Sequence, residues 1–143
     1  MVKSVCCVFL AVLAASALAA DIGRVKVVRG QVTIERAGAA APAAVGARLQ
    51  AADVVKTGAD GSVGITMNDD SLLSAGPNSV LTLERFVLDE STNQGRFDAS
   101  LGHGSLAVIS GRIAKQSRDA MTVRTPSAVL GVRGTEFVVK VGD

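Results

Sequence analysis

Apolar side chains recur at every second position in several short stretches of the chain. The pattern is clearest in QVTIER (31–36), SVGITMN (62–68) and TEFVVKV (135–141). Period-two alternation is typical of strands with one buried face. Clusters of turn-forming residues separate these stretches, in TGADGS (57–62), MNDDS (67–71), AGPNS (75–79) and LGHGS (101–105). The sequence therefore predicts an all-β fold, a single compact β-rich domain arranged as a sandwich, a roll or a short solenoid.

Three segments depart from this simple pattern. The alternation changes phase between Val80 and Leu88, which predicts a bulge or a strand break near Arg85. Residues 38–47 contain helix-forming alanines but are interrupted by Pro42 and Gly46, so we expect a surface loop there. Residues 111–120 are polar and predict one short helical turn. No segment has the composition of a linker that would divide the chain.

The first twenty residues have the composition of a secretory signal. Lys3 supplies a positive start, residues 5–20 are uncharged, and Ala17 and Ala19 form the small-x-small pattern of a cleavage site. The apolar run is short for a membrane anchor, which needs roughly 20 apolar residues. We therefore expect a signal helix at residues 1–20, cleavage before Ala20 or Asp21, a mature domain at 21–143, and no stable membrane insertion. An uncleaved anchor is the alternative.

Composition excludes several kinds of site. Both cysteines, Cys6 and Cys7, lie in the signal segment, so the mature chain can form no disulfide or thiolate site. After removal of Lys3, the chain has 14 basic and 13 acidic side chains without a basic cluster, and it contains no Trp or Tyr. Such a chain lacks the charged stripe and stacking aromatics of a nucleic-acid-binding protein. We expect no nucleic acid among its partners.

Candidate catalytic and metal-binding residues are few. His103 is the only histidine, and no nucleophile-elbow motif accompanies it near Ser105, so we interpret it as a turn residue. Asp69 and Asp70 are adjacent acids in a turn, and too few oxygen ligands surround them for a calcium site. The prediction is a protein without catalytic residues, metal or other cofactors.

The stretch TPSAVLGVRGTEFVV (125–139) places an arginine between two glycines. Pro126 favours extended geometry before it, and Gly131 and Gly134 can adopt the positive φ of a sharp connection. Arg133 has two interpretations. Its guanidinium could donate to unpaired carbonyls and so latch the corner, or it could bind an anion together with backbone N–H groups.

This stretch resembles the signature of the FecR domain family, which consists of periplasmic β-rich regulatory modules. The matching positions are Thr125, Pro126, Ala128, Gly131, Val132, Arg133, Gly134, Thr135, Glu136 and Phe137. Residues 49–83, which include Lys-Thr-Gly and Asn-Ser turns, also resemble the family pattern, as does GHGSLAV (102–108).

The resemblance implies a periplasmic protein-interaction or sensor module rather than an enzyme. Its implied partner is a protein, either the signalling domain of an outer-membrane receptor or a second copy of the chain. Only a few residues precede the apolar run, and they are too few to form a sigma-factor-binding domain. A stand-alone periplasmic protein of the FecR type is therefore the better match. A structural envelope or surface β protein without a signalling role is the alternative.

The last alternating segment is a candidate binding edge. Family members continue into further strands, whereas this sequence stops at Asp143, so we expect an open sheet edge at residues 135–141. A partner would add a strand there, beside Val138, Val139, Lys140 and Val141. The alternative is that a loop or the N-terminal strand, residues 22–28, covers this edge.

Overall fold

A computed structural model describes residues 20–117, 119–132 and 136–142, which form twelve strands and one short helix. The strands are β1 (Asp21–Arg29), β2 (Val32–Arg36), β3 (Ala39–Pro42), β4 (Arg48–Gln50), β5 (Val54–Thr57), β6 (Ser62–Met67), β7 (Leu72–Ala75), β8 (Val80–Leu88), β9 (Gly95–Ile109), β10 (Met121–Arg124), β11 (Val129–Gly131) and β12 (Glu136–Val141), and the helix α1 is Arg112–Gln116. The all-β prediction is confirmed. The predicted signal helix lies outside the described residues except for Ala20.

The strands form one curled sheet in the order β3-β2-β5-β8-β9-β7-β6-β1-β4, with β10, β11 and β12 branching from it. Neighbours are antiparallel except β9 and β10, which are parallel. The first half of β9 lies between β8 and β10, and its second half lies between β7 and β12. One strand of 15 residues therefore belongs to both halves of the sheet.

The hydrophobic core lies on the inner face of this curled sheet. Alternation places one residue in two there, as in β6, where Val63, Ile65 and Met67 are buried while their neighbours are partly exposed. Both halves of the sheet contribute to a single buried cluster that includes Leu83 from one half and Leu106 from the other. The alternation predicted from the sequence for residues 62–68 is thus confirmed as far as the end of β6.

The predicted turn at residues 101–105 is wrong, because these residues lie inside β9. Gly104 has φ of +92° and marks the point where the partner of β9 changes from β8 to β12. A Cβ at Gly104 would lie 2.5 Å from the Cα of Ser79. Gly104 therefore allows a bend and a close approach within a continuous strand, a role whose sequence signature is the same as that of a turn.

The remaining local predictions have mixed outcomes. The bulge near Arg85 is confirmed, because the register of β8 against β9 shifts between Leu83 and Arg85. The helical turn is confirmed as α1. The loop predicted at residues 38–47 is wrong in its first part, where Ala39–Pro42 forms the edge strand β3. Proline is compatible with an edge strand because its missing N–H is not needed there.

Candidate interaction edge

The strand β12 has one face towards the core and one towards solvent. Val139 is 8% exposed and contributes to the core, with Phe137 and Val141 packed against it. The side chains of Glu136, Val138 and Lys140 alternate with these and are exposed. The alternation predicted from the sequence is therefore confirmed for residues 136–141.

Among the described residues, β12 pairs with β9 and with no other strand. The strand β1, which was one of the two predicted alternative covers, instead pairs with β4 and β6. Three other strands, β3, β4 and β11, also have a single partner, but they contain only four, three and three residues. With six residues and no proline, β12 is the longest of these four one-sided strands.

The register shows which backbone groups of β12 face away from β9. The N–H of Gly76 donates to the carbonyl oxygen of Ser105 at 3.1 Å, so the backbone groups of Ser105 are directed towards β7. Directions alternate along an antiparallel strand, and the backbone groups of Leu106 are therefore directed towards its β12 partner Val139. By the same alternation, Val138 and its second neighbours in β12 direct their N–H and C=O groups towards the free edge.

The matched motif residues are divided between two places. Thr125 and Pro126 belong to the tight turn that joins β10 to β11, where the N–H of Thr125 donates to the carbonyl oxygen of Ala128 at 2.8 Å. Phe137 lies on β12, next to the core. Arg133, Gly134 and Thr135 lie outside the described residues, and so do both interpretations of Arg133.

Gly131 ends β11, and the positive φ proposed for it is wrong. A Cβ at Gly131 would meet no atom within 4 Å, so neither φ nor packing within the described residues requires glycine there. Gly131 lies in the strand β11, and the bend at Pro126 and Ser127 precedes this strand.

The interpretation of His103 as a turn residue is wrong, because it lies inside β9. Together with Ser105 it holds the bend of this strand in place. Nδ1 of His103 lies 2.6 Å from the carbonyl oxygen of Asn78, and the N–H of Ser105 donates to Oγ of Ser79 at 3.0 Å. The hydroxyl of Thr57 accepts a bond from the N–H of Ser79 at 2.8 Å and so joins the same network. These contacts hold the turns at residues 57–62 and 75–79 against β9. They give His103 and Ser105 a structural role.

The adjacent acids Asp69 and Asp70 have different environments. Asp69 is fully buried, and its carboxylate accepts hydrogen bonds from the N–H groups of Ser71 at 3.0 Å and Ile113 at 3.3 Å. It therefore joins the β6–β7 turn to the start of α1. The side chain of Asp70 is 79% exposed and forms an ion pair with Arg112 at 3.3 Å. No group of three His, Cys, Asp or Glu side chains in the described part of the chain could hold a metal ion.

A third acid, Asp98 on β9, has a lowered pKa. Its burial acts to raise the pKa, but hydrogen bonds from Thr122 at 2.6 Å and Arg96 at 2.8 Å outweigh burial and hold the pKa below its ordinary value. Thr122 lies opposite Asp98 on the parallel strand β10. The charged carboxylate thus contributes to the β9–β10 pairing.

The outer face beside β12 carries a feature that the sequence alone did not indicate. Four large apolar side chains are exposed on it, by 47%, 43%, 45% and 62%: Val27, Leu72, Ile109 and Val138. We call these four residues the outer apolar patch. The only sequence signal was that apolar residues also occupy the exposed positions of alternating strands. Their proximity depends on strand order, which alternation does not specify.

Comparison with known proteins identifies the family. The sequence profile described as FecR protein matches residues 53–143, which is more than half of the chain. Searches of curated proteins and of solved structures found no match. In the described residues, no helix is long and apolar enough to span a bilayer. The matched region runs from the turn before β5 through β12 and includes the bent strand β9. The chain belongs to the FecR family.

Proposed function

We propose that this chain is a non-catalytic periplasmic protein-interaction module with a regulatory role. Its partner binds by adding a strand to β12. The observation that carries the proposal is the set of backbone groups at Glu136, Val138 and Lys140 that are directed away from β9. Paired backbone groups in such an edge supply affinity, while alternate side chains supply specificity.

The N-terminal segment and the family both support action in the periplasm. In this proposal residues 1–20 direct export, as their charge and cleavage pattern predict, and residues 21–143 form the working domain in the periplasm. The FecR family has signalling and regulatory roles, which supports a protein partner such as the signalling domain of an outer-membrane receptor. Binding at an edge requires no catalytic residue.

Hydrogen exchange tests the edge geometry in the isolated protein. The amides of Val138 and Lys140 should exchange rapidly, because their N–H groups have no partner strand. The amides of Phe137, Val139 and Val141 should be protected by their bonds to β9. Equal protection along β12 would show that the edge is already covered, and it would exclude β12 as the binding site.

Photo-crosslinking in the periplasm tests the function itself. A photoreactive residue at Lys140 should form an adduct of discrete mass, whereas the same residue at Val87, which is 58% exposed on β8, should not. The edge-blocking variant Val138→Pro should abolish the Lys140 adduct. Proline there removes only an outward N–H and should leave the fold intact, which thermal melting would verify.

Val139→Pro is the matched control for this variant. It removes a hydrogen bond to β9 at a core position, so it should destabilise the domain as well as abolish the adduct. If Val138→Pro leaves the Lys140 adduct unchanged while the protein remains folded, strand addition at β12 is refuted.

The alternative function, a structural envelope protein, is favoured by one feature. The strands β12 and β4 lie at opposite edges of the same half of the sheet, and each has a single partner. Addition of β12 to β4 of the next copy would produce an open polymer. A ladder of crosslinked multimers in place of one adduct would indicate this function.

A further inference from the structure

Three members of the outer apolar patch, Val27, Leu72 and Ile109, line a groove that crosses five adjacent strands, and Val138 lies beside it on β12. Strand order places β12, β9, β7, β6 and β1 side by side. The registers align one row of outward residues across all five strands: Val138, Ala107, Ser74, Gly64 and Val27. The three middle members are small, so the row has a low floor between two larger ends.

Larger apolar side chains border this floor. Ile109 and Leu72 are paired with each other in the next row, and they wall one side of a groove with a volume of about 310 Å³. Water contacts apolar surface along the groove, and its removal would be favourable. Such a contiguous apolar face on a small protein typically marks an interaction surface.

The two ends of the groove carry opposite charges. Glu136 lines it on β12, whereas Lys26 lines it on β1. Outside the lining, the exposed Arg24 lies on β1 and the exposed Lys140 lies on β12. None of Glu136, Lys26 and Arg24 forms an ion pair within the part of the chain that the structure describes. The central strand β7 has two strands on either side, so the opposite charges lie at equal strand distances from it.

We propose that this groove packs against the same groove of a second copy of the chain. A twofold axis parallel to the strands and passing over β7 places β12 of one copy over β1 of the other. Glu136 then faces Lys26 and Arg24 of the second copy, and the reciprocal contact forms at the other end. This self-complementary charge pattern is what a twofold interface requires, and it favours a second copy over an unrelated partner.

The proposed dimer is distinct from strand addition. It uses the outer face of the sheet, and its centre lies on β7, two strands from the β12 edge. Lys140, which lies on the exposed face of β12 at the proposed binding edge, does not line the groove. The backbone groups at the edge remain accessible in the dimer, so a failure of one proposal leaves the other intact.

Sedimentation of the exported, purified protein over a range of concentrations tests the proposal. The average mass should rise from one copy towards two. Ser74→Glu should keep the protein monomeric, because the two introduced carboxylates would face each other near the axis. The control Val87→Glu lies on β8, outside the groove, and should dimerise like the unmodified protein. Circular dichroism would confirm that both variants are folded.

Charge reversal tests the orientation of the two copies. Glu136→Lys should weaken the dimer by about tenfold in dissociation constant, because it creates like-charge contacts at both ends. Adding Arg24→Glu and Lys26→Glu to that variant should restore association, since both ends are then reversed together.

Two results would overturn the proposal. One is a monomer at every concentration, and the other is association that Ser74→Glu does not affect. If the unmodified protein dimerises but the triple variant does not regain the affinity that Glu136→Lys loses, the twofold arrangement over β7 is wrong. Added salt should weaken the unmodified dimer, since its terminal contacts are ionic.

Discussion

Replacement of Asp69 by Asn tests how the β6–β7 turn is joined to α1. The carboxylate of Asp69 is fully buried and accepts one bond at each oxygen, from Ser71 N–H at 3.0 Å and Ile113 N–H at 3.3 Å. In Asp69→Asn, one oxygen becomes an NH₂ group. That group cannot accept a hydrogen bond, so one buried N–H loses its partner and faces another donor.

The expected loss follows from these contacts. Leaving a buried donor unsatisfied costs about 1–3 kcal/mol, and the remaining bond also weakens because its acceptor is no longer charged. We therefore expect Asp69→Asn to lower the free energy of unfolding by about 2–4 kcal/mol. That is a large share of the ~5–15 kcal/mol typical of a natural domain.

The neighbouring acid provides a control of identical chemistry. Asp70 is exposed, and its φ of +70° is one that Asn tolerates, so Asp70→Asn should cost less than about 1 kcal/mol. Urea denaturation at neutral pH measures both variants, and equal slopes would show that the comparison is valid. Equal losses for the two variants would refute the assignment of Asp69 as the buried link between the β6–β7 turn and α1.

Two further predictions concern β9. Gly104→Ala should lower the free energy of unfolding by about 2–4 kcal/mol, because φ is +92° and the new Cβ would overlap Ser79. At Gly102 a Cβ would meet no atom within 4 Å, so Gly102→Ala should stay within about 0.5 kcal/mol of the unmodified protein. Similar melting temperatures for the two variants would contradict the bend at Gly104. Asp98 has a pKa below its ordinary value of 3.8, so its contribution to stability is present above that pH and is lost as the pH falls through the lower, folded value. Thr122→Val should reduce this acid-dependent loss in denaturation measured between pH 6 and pH 2, and an unchanged pH dependence would exclude the contact as its cause.

Local signals in the sequence were sufficient for the fold class and for several strands, among them β2, β6 and β12. Val63 and Val139 are buried because period two directs them to one face, and the phase change near Arg85 reports a bulge that any partner strand would have to accommodate. These features depend on residues within a few positions of each other. Alternation alone therefore predicts them.

Long-range partners could not be predicted in the same way. Asp69 contacts Ile113 across 44 positions, and nothing local distinguishes it from the exposed acid beside it. The glycines at 102 and 104 are equally consistent with a turn and with a bent strand, and only the packing of Ser79 decides between them. Strand order is a property of the whole chain, so the outer apolar patch had no local signature.

The candidate edge was located by its sequence pattern, but its chemistry required the register. Alternation placed residues 136–141 in a half-buried strand. Which amides face outward depends on the direction of the backbone groups of Ser105 on the neighbouring strand β9, which the hydrogen bond from Gly76 shows. The motif arginine, Arg133, lies outside the described residues, so its latch and anion-site interpretations remain predictions.

The shared strand β9 also has a consequence for the order of folding. Without it, β2, β3, β5 and β8 form one sheet, while β1, β4, β6 and β7 form another, and the two sets interleave along the chain. Neither set can join the other until β9 supplies both pairings. Such non-local closure has a high entropic cost and slows folding. The rate-limiting step should therefore include docking of β9, and the two halves should unfold together as one cooperative unit.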